Sequence, residues 1–87
     1  MMGQPIEVIA HCGADGTMEP LRFRYETLDH QLMRVLIDRV VRKEQITHVG
    51  AEALVFLCRA TEEERQRLFE LRYELRSHRW ALQSIIY

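Results

Sequence analysis

The chain has 87 residues, of which 47% are hydrophobic and 29% charged, and its formal net charge is −1. This composition excludes a disordered chain, which needs low hydrophobicity and high net charge, and the length predicts one domain, residues 1–87, with a small core. The longest apolar run, Ala53–Cys58, is far shorter than the roughly 20 residues of a membrane-spanning helix.

The first residues and the cysteines bear on location. Residues 1–5 carry no basic leader and no long apolar stretch, so we expect no secretory signal. Two cysteines, Cys12 and Cys58, are too few for a disulfide framework. We therefore expect a cytoplasmic protein with reduced thiols and no association with a membrane.

A β-hairpin is predicted near the start of the chain. Residues 6–12 are rich in β-formers, and Asp15-Gly16 is typical of tight hairpin turns because glycine tolerates a positive φ. Residues 21–26 alternate apolar and charged side chains, and a period of two places these on opposite faces of a strand. The two predicted faces are Leu21, Phe23 and Tyr25 on one side and Arg22, Arg24 and Glu26 on the other.

The segment at residues 30–43 fits two structures. On a helix capped by Asp29, apolar side chains recur every four residues and charged ones lie opposite, as in an amphipathic helix. On a strand, β-branched residues pack well, which favours that structure. The helix would bury Leu32, Leu36 and Val40; the strand would carry Met33, Val35, Ile37 and Val41 on one face and Leu36 and Val40 on the other. Both structures stay open at this point.

The next two segments are predicted as strands. Ala51–Cys58 is a short, almost continuously apolar run after Gly50, as in a strand buried on both faces. Thr61–Glu64 has the spacing of a helix capping box, but the strict alternation of residues 69–76 outweighs it. The apolar positions of that alternation are Phe69, Leu71, Tyr73 and Leu75.

A turn at residues 77–79 and a last strand at residues 80–87, with Trp80 facing the core, complete the pattern. Together, the predicted segments indicate an all-β fold of about six strands in an antiparallel meander, closed as a small barrel or half-barrel. The alternative is an α+β fold with a helix at residues 30–43. The segments around Val35 and Val55 are apolar on both faces, so barrel closure or dimerisation should cover them.

Six stretches of the chain carry a resemblance to known sequences: Ile6–Ala10, Ala14–Gly16, Pro20–Phe23, Arg34–Val40, Leu54–Cys58 and Phe69–Leu82. Together they are similar to a group of short, uncharacterised bacterial proteins, found mainly in clostridia-like bacteria. The resemblance implies a small all-β domain and favours strand over helix at both ambiguous segments. It implies no activity and no site.

No catalytic, metal or cofactor site is predicted. Cys12 and His11 are neighbours, but adjacent strand residues point to opposite faces, so both cysteines are expected to be small buried side chains. The histidines and cysteines lack the spacing of metal ligands. Glu62–Glu64 is expected to be a solvated loop that nearby arginines neutralise.

A nucleic-acid surface is the alternative function. Arg22 and Arg24 on the second strand and Arg72 and Arg76 on the fifth could contact a single strand. Glutamates alternate with these arginines on the same faces, which favours ordinary cross-strand Arg–Glu pairs on a solvated surface over a binding surface. The twelve basic residues do not exceed the thirteen acidic ones, whereas nucleic-acid binders are usually basic.

The sequence therefore predicts a non-enzymatic binding or protein-interaction module of a bacterial cytosolic protein. Its expected partner is another protein or a second copy of the chain. The nucleic-acid surface formed by the four arginines is kept as the alternative.

Overall fold

A computed structural model describes residues 3–86, which form six β-strands. The strands are β1 (Gln4–Cys12), β2 (Met18–Glu26), β3 (Leu32–His48), β4 (Ala51–Glu62), β5 (Arg65–Glu74) and β6 (Arg79–Ile85). Each pairs antiparallel with the next, and β6 returns to β1, which closes a barrel in chain order. The prediction of an all-β, six-stranded antiparallel barrel is confirmed, and the alternative with a helix at residues 30–43 is wrong.

The barrel core is built from the inward side chains of the alternating strands. Phe23 and Phe69 meet edge to face, with ring centroids 5.3 Å apart, a favourable aromatic geometry. Trp80 is half-buried and packs on Phe56 at 5.5 Å and on Tyr73 at 4.9 Å between ring centroids. The prediction that Trp80 belongs to the core is confirmed.

A β-bulge changes the outward face of β2. Ile9 pairs with Arg22 but Ala10 pairs with Pro20, so Leu21 has no partner of its own on β1. A bulge inserts one residue and breaks the alternation of side chains. Phe23 and Tyr25 are buried as predicted, whereas the inward placement of Leu21 is wrong: the residue is 48% exposed.

Two further bulges lie in β3, between Ile37 and Arg39 and between Val40 and Arg42. Each shifts the alternation by one residue, so Val40 packs against the core while Val41 is exposed. The strand interpretation grouped Val41 with Met33, Val35 and Ile37 and placed Val40 on the opposite face, and that grouping is wrong for both valines. The common face of the three residues before the bulges is confirmed, because Val35 lies in the core and Met33 and Ile37 pack against it.

The middle of β4, residues 53–58, is buried on both faces, as its apolar run predicts. Phe56 and Cys58 belong to the core cluster. Ala53 and Val55 are also buried but lie outside that cluster. Val55 is flanked by Glu44 on β3 and Arg72 on β5, whose long side chains can cover apolar surface with their stems.

Two of the short connections are tight hairpin turns, one of them at the predicted Asp15-Gly16 position. Gly16 has φ +90° in the β1–β2 turn, the conformation that favours glycine. Glu63 and Glu64 form the two-residue turn between β4 and β5, with Glu62 paired to Arg65. The capping-box pattern therefore starts no helix, because the pairing of two long strands overrides local propensity.

Candidate functional site

A groove of about 1140 Å³ crosses the outward face of β1, β2 and β3. Arg79 of β6 borders it on one side, and Thr61 and Glu63 at the end of β4 border it on the other. Surveyed ligand pockets have volumes of roughly 300–1,000 Å³, so the groove is large for a metabolite. We call it the β1–β3 groove, and its outward side chains include Ile9, Arg22, Arg24, Arg34 and Leu36.

The strand register places these side chains in two rows. In the first row Arg22 lies between Ile9 on β1 and Leu36 on β3. The two apolar residues are 51% and 60% exposed. The row therefore offers apolar contact on both sides of a guanidinium.

The second row opposes two like charges. Arg24 on β2 lies directly across from Arg34 on β3, and like charges opposite each other destabilise a sheet. Glu7 on β1 pairs with Arg24. In the described residues 3–86, neither Arg22 nor Arg34 forms an ion pair. These two guanidinium groups are thus available to an anionic group from outside.

A second opposed pair extends the positive charge beyond the groove. Arg39 on β3 lies across from Arg59 on β4, and both are exposed. Asp38 lies beside this pair, but its carboxylate accepts a hydrogen bond from the Thr61 hydroxyl at 2.7 Å. The outward surface of β2–β4 therefore carries two pairs of arginines that oppose each other across neighbouring strands.

The four arginines predicted from the sequence do not form one surface. Arg22 and Arg24 lie in the β1–β3 groove, while Arg72 lies on β5 and Arg76 in the turn that follows it. In a closed six-stranded barrel β2 and β5 are three strands apart, so they lie on opposite walls. The sequence missed Arg34 as a partner of the first two, because only the register of β2 against β3 brings it there.

No protein family, curated protein or solved structure matches this chain. The resemblance to short bacterial all-β proteins therefore stays a prediction, and only its all-β fold is confirmed. Among residues 3–86, no helix is long and apolar enough to cross a membrane. In the same residues, no three histidine, cysteine, aspartate or glutamate side chains come together in a group that could hold a metal ion.

The two cysteines differ from each other. Cys58 is buried in the core, as predicted, and burial raises the pKa of its thiol to about 12, so it is not a thiolate nucleophile at neutral pH. Cys12 is exposed, and its predicted burial is wrong. It pairs with Met18 at the last position of the first hairpin, beyond the part of β1 that packs on the core.

A buried polar cluster lies at the end of β4. The Glu62 side chain is 6% exposed; it accepts hydrogen bonds from the Tyr25 hydroxyl and, at 2.8 Å, from Nη1 of Arg67. The expectation that all of Glu62–Glu64 is solvated is wrong for Glu62. The reason is alternation: Glu62 continues the inward positions Cys58 and Ala60 of β4, whereas Glu63 and Glu64 are exposed in the turn.

The cluster holds the Tyr25 hydroxyl in its protonated form. Burial, and then the hydrogen bond to Glu62, raise the pKa of Tyr25 to about 12. Nε of Arg67 is buried and has no hydrogen-bond partner among the described residues. The three side chains form contacts with each other within the barrel wall, so we assign the cluster to stability rather than to binding.

Proposed function

We propose that this protein is a non-enzymatic interaction module whose β1–β3 groove binds a segment of a partner protein with acidic and apolar side chains. The observation that carries the proposal is the opposition of Arg24 and Arg34 beside the exposed Ile9 and Leu36. A carboxylate between the two arginines would relieve their repulsion through charge-assisted hydrogen bonds. The flanking aliphatic side chains would contact the apolar residues of the same segment.

Charge complementarity supports an acidic partner. The arginines of the groove are Arg22, Arg24, Arg34 and Arg79, and its acidic residues are Glu7 and Glu63. One of these acids is already paired with Arg24. The remaining balance is positive, which favours carboxylates and disfavours a basic segment.

A protein segment fits the groove better than a nucleic acid does. Binding of single strands usually relies on aromatic side chains on which bases stack. The described aromatic residues are turned to the core: Phe23, Tyr25, Phe56 and Phe69 are buried, and Tyr73 and Trp80 pack against them. The outward aliphatic side chains of the groove, Ile9 and Leu36, offer no stacking surface, and Trp80, which also lines the groove, packs on Phe56 and Tyr73.

The test is an NMR titration of the ¹⁵N-labelled protein with two pools of short peptides. One pool alternates Asp or Glu with Leu, Ile or Phe, and the other replaces the acids with Lys or Arg. We expect shifts in β1, β2 and β3 with the acidic pool alone. The double variant Arg22→Glu/Arg34→Glu should weaken binding by roughly tenfold or more, because it reverses two charges that would contact the peptide.

The matched control is Arg72→Glu/Arg76→Glu, which reverses two arginines that do not line the groove and should leave peptide binding unchanged. A third titration with short single-stranded RNA at low salt tests the alternative function. RNA shifts at Arg22, Arg24, Arg72 and Arg76, together with no response to the acidic peptides, would replace the proposal with nucleic-acid binding. Equal binding of both peptide pools would also refute it.

A further inference from the structure

The outer half of β3 has one open edge. β2 pairs with β3 only from Leu32 to Leu36, whereas β3 continues to His48 along β4. Within the described residues 3–86, no strand pairs with the other edge of β3 from Ile37 onward. An open strand edge presents unpaired N–H and C=O groups that can bind a further strand.

The two bulges divide this edge into a protected part, residues 37–42, and a regular part, residues 43–48. Bulges disrupt a ladder and protect an edge from further pairing, and both lie between Ile37 and Arg42. Beyond them, Lys43–His48 pairs with Ala51–Phe56 without a register shift. Residues 41–52 are all exposed, so this part of the hairpin projects from the barrel and leaves space for a second strand.

We propose that a second copy of this chain pairs with the regular part of this edge, antiparallel and across a two-fold axis at Ile46. Such an axis, perpendicular to the sheet, places one residue opposite its own copy. Centring on Ile46 sets the two isoleucines against each other. It also sets Gln45 against Thr47 and Glu44 against His48 of the second copy, both pairs of hydrogen-bonding side chains.

The neighbouring registers are less favourable. Centring on Glu44 or on Lys43 places identical charges opposite each other, which destabilises a strand pair. Centring on Gln45 places Glu44 against Ile46 of the second copy. The Ile46 register alone among these four covers the apolar side chain, which is 38% exposed in the single chain, with another apolar side chain.

This dimer is independent of the β1–β3 groove. The pairing segment lies beyond the bulges of β3, whereas the groove uses Arg34 and Leu36 before them. Each copy in the dimer would keep its own groove, so the assembly would present two binding sites. A variant can therefore lose dimerisation and still bind the peptide, or lose peptide binding and still dimerise.

Sedimentation equilibrium from about 1 µM to about 1 mM tests the association. We expect a concentration-dependent dimer, and we expect Ile46→Lys to raise its dissociation constant by roughly tenfold or more because two lysines would meet on the axis. Val41→Lys is the matched control: Val41 is 40% exposed on the same strand but outside the paired segment, and its substitution should leave the constant unchanged.

Cross-linking tests the register in the Cys12→Ser background. Cβ atoms directly opposite each other are about 4.5–5.5 Å apart and diagonal ones about 7–8 Å, and a disulfide reaches only the former. Mild oxidation should therefore dimerise Ile46→Cys but not Gln45→Cys. A chain that stays monomeric at all concentrations, an Ile46→Lys variant no weaker than Val41→Lys, or equal cross-linking at both cysteines would overturn the proposal.

Discussion

Replacing Glu62 with glutamine should destabilise the barrel without changing its shape. The carboxylate accepts from the Tyr25 hydroxyl through Oε2 and from Arg67 through Oε1. The amide of the Glu62→Gln variant would keep one oxygen acceptor and replace the other with an NH₂ donor. The amide oxygen can accept from Arg67 while the NH₂ donates to the Tyr25 oxygen, but the Tyr25 O–H then loses its acceptor and the guanidinium loses its counter-charge.

The expected loss follows from the hydrogen bonds involved. A hydrogen bond to a charged group contributes about 1.5–3 kcal/mol, and a buried donor left unpaired adds to the cost. Arg67 is 28% exposed, so solvent partly replaces its lost partner, and we expect a loss of about 2 kcal/mol in the free energy of unfolding. For a domain of this size, that lowers Tm by roughly 8–16 °C.

Urea and thermal unfolding, followed by the fluorescence of Trp80 and by circular dichroism, measure this loss. Glu63→Gln is the matched control, because the same change one residue later falls on an exposed turn and should stay within about 0.5 kcal/mol. Equal losses for Glu62→Gln and Glu63→Gln would show that the buried carboxylate of Glu62 does not stabilise the barrel.

Two other predictions concern pH and a hairpin turn. The pKa values of Tyr25 and Cys58 are raised from 10.0 and 9.0 to about 12, so their stabilisation is complete below pH 9 and is lost toward pH 12. The urea midpoint of the wild-type protein should fall between pH 9 and pH 12, and that of a Tyr25→Phe/Cys58→Ala variant should fall less. Parallel curves of urea midpoint against pH for the two proteins would contradict this. Val49 has φ +25° beside Gly50 at φ +78°, where Asn-Gly is favoured, so Val49→Asn should raise stability by about 1 kcal/mol. An unchanged or lower urea midpoint would show that this turn is not strained.

Much of the fold is predictable because side chains alternate along a strand. The period of two in residues 21–26 and 69–76 identifies two strands, and the apolar run at Ala53–Cys58 identifies a third that is buried on both faces. The ambiguous segment at residues 30–43 shows where such reasoning fails. Its apolar positions satisfy both periods, and the pairing of β3 with two neighbours decides between them.

The candidate site was predictable only in part. Alternation correctly turns Arg22 and Arg24 outward, but it gives no information about which strand lies beside them. Arg34 joins them through the β2–β3 register, and Arg72 is separated from them by barrel closure. Glu62 resembles a loop residue in the sequence because its two acidic neighbours lie in a turn, although it continues the inward face of β4.

By itself, the sequence determined the strand-forming segments other than residues 30–43, the Asp15-Gly16 turn and most of the inward side chains, because these depend on interactions between near neighbours. The tertiary structure decided the three bulges, the exposure of Leu21 and Val41, the grouping of the groove arginines and the open edge of β3. A bulge sets two residues of one strand opposite a single residue of its partner. It is therefore a property of the paired strands, so no single segment carries it.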